Sequence, residues 1–171
     1  MRKCEPKDLA EILDFYQMVI NETEDLATYA RWIYGKRPSE EMIKDYIEQG
    51  NMYCIVMDGN IVASVAVTLS QGEEYHDIDW QIHLQDDEVA TVHLLAVDPH
   101  KQKRGLAKTV MNEVIDLAKG HGKKAVRLDA LDCNTPAHSL YETMGFQKRD
   151  IRRWYAENTG WIDFFLFEYL L

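Results

Sequence analysis

The stretch Leu94-Leu95-Ala96-Val97-Asp98-Pro99-His100-Lys101-Gln102-Lys103-Arg104-Gly105-Leu106-Ala107-Lys108 decides the reading of this chain. A β-rich run over Glu88–Val97 is stopped by Asp98-Pro99, because proline cannot donate to a sheet ladder. A basic loop follows. Arg104–Lys119 then reads as a helix with Leu106, Val110, Val114, Leu117 and Ala118 as its apolar stripe, and Gly120 suits the position just past its end. A helix start exposes unpaired N–H groups and the positive end of the dipole. Gly105 and Ala107 leave room for an approaching anion, and neighbouring Lys and Arg add charge. Strand, basic loop and small-residue helix start together form a diphosphate cradle. It is neither a Gly-Lys-Ser/Thr nucleotide-hydrolase loop nor a G-x-G-x-x-G dinucleotide fingerprint.

Working outward, Arg2–Glu5 reads as a short strand. A helix begins at Pro6 or Lys7, with Leu9, Ile12, Leu13, Tyr16, Val19 and Ile20 on one face. Ser39 fits an N-cap ahead of Glu40 and Glu41, and that helix stops at Gly50. Asp58-Gly59 is a hairpin turn between strands Met52–Met57 and Ile61–Leu69. Ala125–Leu131 is a strand. Thr135 and Pro136 read as N-cap and first residue of a helix that runs to Met144. Phe146–Tyr155 and Trp161–Leu171 are strand-like, the second rich in aromatics and a candidate homodimer face. The fold class expected is α+β (mixed α/β): one single, central, twisted, mostly antiparallel sheet flanked by helices on both faces, within one domain over residues 1–171.

Composition bounds the function. The 171 residues are 46% hydrophobic and 28% charged, which suits a globular core. No run of ~18 apolar residues spans a membrane, and early acids (Glu5, Asp8, Glu11, Asp14) argue against a secretory signal. Cys4, Cys54 and Cys133 are too few for a disulfide framework, so a reducing, cytoplasmic setting is expected. The six histidines show no metal-ligand spacing, and no metal is expected. Net charge is −10, which disfavours nucleic acid as a partner. Yet Gln71–Asp98 carries eight acids and no Lys or Arg, whereas Pro99–Arg127 carries eight bases and two acids. The basic stretch suits a compact anion and the acidic one a cationic acceptor; each also suits an ordinary solvated face.

Gln102-Lys103-Arg104-Gly105-Leu106-Ala107 resembles the Gln/Arg-x-x-Gly-x-Gly/Ala loop of the GCN5-related N-acetyltransferase (GNAT) family. Downstream, Asn134-Thr135-Pro136-Ala137-His138-Ser139-Leu140-Tyr141-Glu142-Thr143-Met144-Gly145-Phe146 is similar to its Asn-x-x-Ala-x-x-Leu-Tyr-x-x-x-Gly-Phe block. The resemblance covers about Thr91–Phe146. It implies acetyl transfer from acetyl-CoA to a small-molecule or peptide amine by direct attack. It implies that the end of the Glu88–Val97 strand splays from its neighbour, so that Leu95, Ala96 and Val97 meet the pantetheine arm. Gln102, Lys103, Arg104, Gly105, Leu106, Ala107 and Lys108 would hold the diphosphate, and Asn134 would hydrogen-bond the cofactor arm, with Ala137 also at the cofactor. Tyr141 would protonate the leaving sulfur.

Other readings of these residues stand beside this one. Ala137, Leu140, Tyr141 and Met144 also form a core stripe, and Asn134 also suits a helix cap. His93 is a candidate general base, on one face with Leu95 and Val97 if the strand is regular. Glu88, His76, Glu73 and Glu74 are alternatives. Trp32, Tyr75 and Trp80 either line an acceptor pocket or pack, and Cys133 either approaches the thioester or is inert. Two rival functions remain: an acyl-CoA sensor without catalysis, and a nucleotide-phosphate protein using the same helix start.

Overall fold

The computed structural model describes all residues, 1–171. Asp58 and Gly59 take positive φ (53° and 81°), the conformation of a tight hairpin turn, and join β2 (Met52–Met57) to β3 (Asn60–Thr68). β1 (Arg2–Lys3) pairs with β2 but ends sooner than expected. At Glu5 the chain turns into a 3₁₀ segment, where the Asp8 carboxylate accepts from Glu5 N at 2.8 Å and from Arg2 at 2.7 Å. α1 (Leu9–Glu22) buries Ile12, Phe15, Tyr16 and Val19. A single turn, α2 (Leu26–Tyr29), leads to α3 (Glu40–Glu48), capped as expected by Ser39 Oγ, which accepts from Met42 N at 3.1 Å.

β4 (Val89–Val97), β5 (Ala125–Leu131), β6 (Gln147–Ala156) and β7 (Gly160–Leu170) complete a seven-stranded sheet in the order β1-β2-β3-β4-β5-β7-β6. Only β4 and β5 are parallel; every other neighbouring pair is antiparallel. α4 (Leu106–Gly120) and α5 (Thr135–Thr143) pack on one face of the sheet, α1 and α3 on the other. The expected fold class is therefore the observed one.

Local boundaries differ where long-range packing decides. α4 runs through Gly120, and the positive φ lies at Gly122 (68°). Its buried stripe includes Met111 and Ile115, with Leu106 and Leu117 only partly covered. In α5 the cap is Asn134, one residue before Thr135, and Pro136 sits second in the helix. β7 lies between β5 and β6 and buries Phe164, Leu166 and Phe167. Much of the aromatic tail is therefore sheet interior, while Trp161 at its start is exposed. Residues 71–88 form a loop in which Tyr75, Ile78 and Trp80 pack on Leu166 as a small core. No helix is long and apolar enough to cross a membrane.

Candidate active site

The site is a fault in the sheet. β4 and β5 pair from Val89↔Ala125 to Val92↔Leu128 and then part. Leu94 adopts φ 54°, and the register with β3 moves from Ala66↔His93 to Ser64↔Ala96, so β4 accommodates an extra residue there. The strict alternation that would place His93, Leu95 and Val97 on one face does not hold across Leu94. The gap between the strands nevertheless opens as expected, and all three residues border it.

A cavity of about 950 Å³ fills the gap. His93, Leu95, Ala96 and Val97 form its β4 wall, and Gln102, Lys103, Gly105, Leu106, Ala107 and Lys108 its upper end. Asn134, Ala137 and Tyr141 close the side toward α5. Arg104 is exposed and does not line it, although it belongs to the basic loop. Gly105 begins α4 at φ 79°, and no side chain caps that end. The first main-chain bond there is Thr109 N to Gly105 O at 3.0 Å, so the N–H groups of Leu106, Ala107 and Lys108 precede the helical ladder. A Cβ added at Gly105 would meet nothing within 4 Å. These features fit a diphosphate.

Asn134 Oδ1 accepts from Ala137 N at 3.3 Å, so its oxygen caps α5 while the residue still lines the cavity. Tyr141 is 7% exposed; its ring packs on Phe146 and Phe167, and its hydroxyl has no hydrogen-bond partner in the protein. Burial raises its pKa well above the ordinary phenol value, with the charge of Asp129 adding to the rise. Core packing and cavity lining are thus both true of Tyr141.

A second cavity, about 1070 Å³, adjoins the first. The two share Arg37, His93, Leu94, Asp129, Ala156 and Phe164. Its walls bring Glu41, Asp45, Glu74, Asp129 and Glu157 together against Arg37 alone among the lysines and arginines. At its rim stand Tyr155 and Trp161, 64% and 65% exposed and in edge contact at 5.9 Å. Of the eight acids in Gln71–Asp98 only Glu74 lines it. Several of the others are engaged elsewhere: Asp86 with His76, Glu88 with Lys124, and Asp98 with the His100 amide.

Among the expected bases, Glu88, His76 and Glu73 border neither cavity. His93 stands at the junction, stacked on Tyr46 with Nε2 3.1 Å from Thr91 Oγ1, and burial lowers its pKa. Sequence reasoning missed Asp129. It too lies at the junction and accepts a 2.7 Å bond from the Tyr75 hydroxyl. The signal was an acid inside the otherwise apolar run Leu128-Asp129-Ala130-Leu131. Trp32 lines the first cavity and packs on Tyr16, whereas Tyr75 and Trp80 are buried. Cys133 donates to Tyr29 O at 3.5 Å and does not line the cleft.

Comparison with known proteins agrees with this geometry. The model of the acetyltransferase (GNAT) family matches residues 15–146. A [ribosomal protein bS18]-alanine N-acetyltransferase of Escherichia coli is 36% identical over 70 residues, 41% of this chain and 47% of that relative. The chain thus spans less than half the length of the curated relatives it matches. A GNAT-family acetyltransferase structure from Streptococcus pneumoniae superposes with TM-score 0.70 at 20% identity, over 99% of this chain and 98% of that one. A Salmonella typhimurium putative acetyltransferase, yncA, solved with acetyl-CoA, gives TM-score 0.70 at 17% identity over 99% and 92%. The splayed strands, the uncapped α4 start and the family match agree: this chain belongs to the acetyltransferase (GNAT) family.

Proposed function

We propose that the protein transfers an acetyl group from acetyl-CoA to an amine, in a ternary complex formed across the two adjoining cavities. The observation that carries this is their meeting at the end of paired β4, where Asp129, His93 and the approach to Tyr141 converge. Acetyl-CoA supplies an activated thioester. The amides of Leu106, Ala107 and Lys108 hold the diphosphate at the helix start. The end of β4 that β5 leaves free, Leu95–Val97, takes the pantetheine arm by main-chain bonding and offers an N–H to the carbonyl as negative charge develops. Tyr141 gives its proton to the departing sulfur; its raised pKa keeps the phenol protonated until then.

We assign the base to Asp129 in preference to His93. Becoming cationic is disfavoured for His93 by its burial. Asp129 has one oxygen bonded to Tyr75 and no protein donor on the other, so it can pair with an incoming ammonium and take its proton, freeing the nitrogen lone pair to attack the thioester carbonyl. Holding both reactants in one cleft supplies much of the rate.

The acceptor we infer is cationic. Five carboxylates surround the second cavity, and the exposed Tyr155–Trp161 pair presents ring faces suited to ammonium or guanidinium groups. The Escherichia coli relative is named for an alanine of ribosomal protein bS18, and a peptide amino terminus is one acceptor of this chemistry. The test is a panel of amines and basic peptides with acetyl-CoA, reading free thiol and the N-acetyl product by mass. Cationic acceptors should turn over faster than neutral ones of equal length. Binding of acetyl-CoA with no thiol release across the panel would favour the sensor reading, and preferential ATP binding the nucleotide reading.

A further inference from the structure

Arg127 and Asp129 are two residues apart on β5 and so point to the same face of the sheet. The loop after β3 lays one aromatic over each. Trp80 covers the Arg127 guanidinium at 4.2 Å, and the Tyr75 hydroxyl donates to Asp129 Oδ1 at 2.7 Å. The two rings stack on each other at 5.8 Å and 16°, and Trp80 Nε1 donates to Tyr75 O at 2.8 Å. Arg127 is itself fixed by Glu168 at 2.8 and 2.9 Å, by Gln71 Oε1 at 2.6 Å and by Ile82 O at 2.9 Å. The result is a closed strut that leaves β5 at Arg127, crosses two stacked rings and returns at Asp129.

We propose that Tyr75 is a positioning residue for acetyl transfer, its buried hydroxyl fixing the Asp129 carboxylate at the junction of the two cavities. Tyr75 is 1% exposed, and its one side-chain polar atom is spent on this bond. Packing alone would be served by phenylalanine; the hydroxyl adds one thing, a fixed donor to Asp129. That bond orients Asp129 Oδ1 inward and leaves the other oxygen for the acceptor. The inference rests on the assignment of Asp129 as base.

The test is a cycle of Tyr75→Phe and Asp129→Asn, read as kcat and KM of thiol release. Tyr75→Phe keeps the ring and its stack. A hydrogen bond to a charged group is worth a factor on the order of 10 to 100, so kcat should fall by about that much while KM for acetyl-CoA stays within about twofold. In the Asp129→Asn background, Tyr75→Phe should add nothing. Equal losses in both backgrounds, or an unchanged kcat in Tyr75→Phe, overturn the inference while leaving the base assignment standing. Unchanged kcat in Asp129→Asn overturns the base assignment instead. Asp129→Glu checks the geometry without touching the aromatic core: shifting the carboxylate by one methylene from Tyr75 should lower kcat as Tyr75→Phe does, and wild-type kcat would contradict it.

Discussion

Arg127 and Glu168 are register partners across β5 and β7, their charged ends 2.8 Å apart and each side chain 1% exposed. A buried ion pair adds stability only if its remaining donors and acceptors are satisfied. Here they are: Gln71 and Ile82 O take the other guanidinium N–H groups, and Gln81 N donates to Glu168 Oε2 at 2.8 Å. The pair therefore pins residues 71–82 to the sheet as well as β5 to β7.

Breaking that pair on one side strands a buried charge. Glu168→Ala should destabilise the protein by about 3–5 kcal/mol in urea unfolding. Replacing both partners by apolar residues, Arg127→Met with Glu168→Leu, should cost less than Glu168→Ala alone. A loss under about 1 kcal/mol for Glu168→Ala would mean that the pair is not buried as described.

Tyr141→Phe separates the two readings of that side chain. The ring contacts with Phe146 and Phe167 remain, and no protein hydrogen bond is lost. Melting temperature and coenzyme A affinity should hold, while kcat falls about 10²- to 10⁴-fold. Full turnover in this variant would reduce Tyr141 to core packing.

Gly105→Glu tests the cradle. Its φ of 79° favours glycine, and a carboxylate there repels the diphosphate. Since an added Cβ meets no protein atom within 4 Å, the fold should persist with a melting temperature within a few degrees of wild type. Calorimetry should show coenzyme A affinity reduced more than about 100-fold, roughly 2.7 kcal/mol or more; wild-type affinity would place the diphosphate elsewhere.

Burial lowers the pKa of His93 and of His138. The unfolded chain therefore binds more protons than the fold just below the ordinary histidine value of about 6.5. Their contribution to stability is complete above that pH and is lost as pH falls through it toward the lowered native values. Melting temperature should drop from pH 7 to pH 5, and more shallowly in His93→Gln/His138→Gln. Identical slopes, measured by circular dichroism, would contradict the burial of these rings as the cause.

What the sequence made legible was local chemistry. Asp58-Gly59, Ser39 and the Gly105 helix start each announce themselves within four residues, and each stands where expected. The α5 cap was misplaced by one because Asn134, Thr135 and Pro136 all favour a helix start. The Leu94 irregularity carries no such signature: leucine rarely takes positive φ, and only the sheet around it imposes that conformation. Asp129 was illegible for a related reason. The role proposed for it depends on Tyr75, 54 residues away, and on a loop whose aromatics read equally as pocket or packing.

The most direct test of the central claim is a crystal structure with coenzyme A bound. The account predicts the diphosphate against the amides of Leu106–Lys108, the pantetheine between the parted ends of β4 and β5, and sulfur directed toward Tyr141. A diphosphate seated elsewhere, or a side chain filling the start of α4, would contradict it.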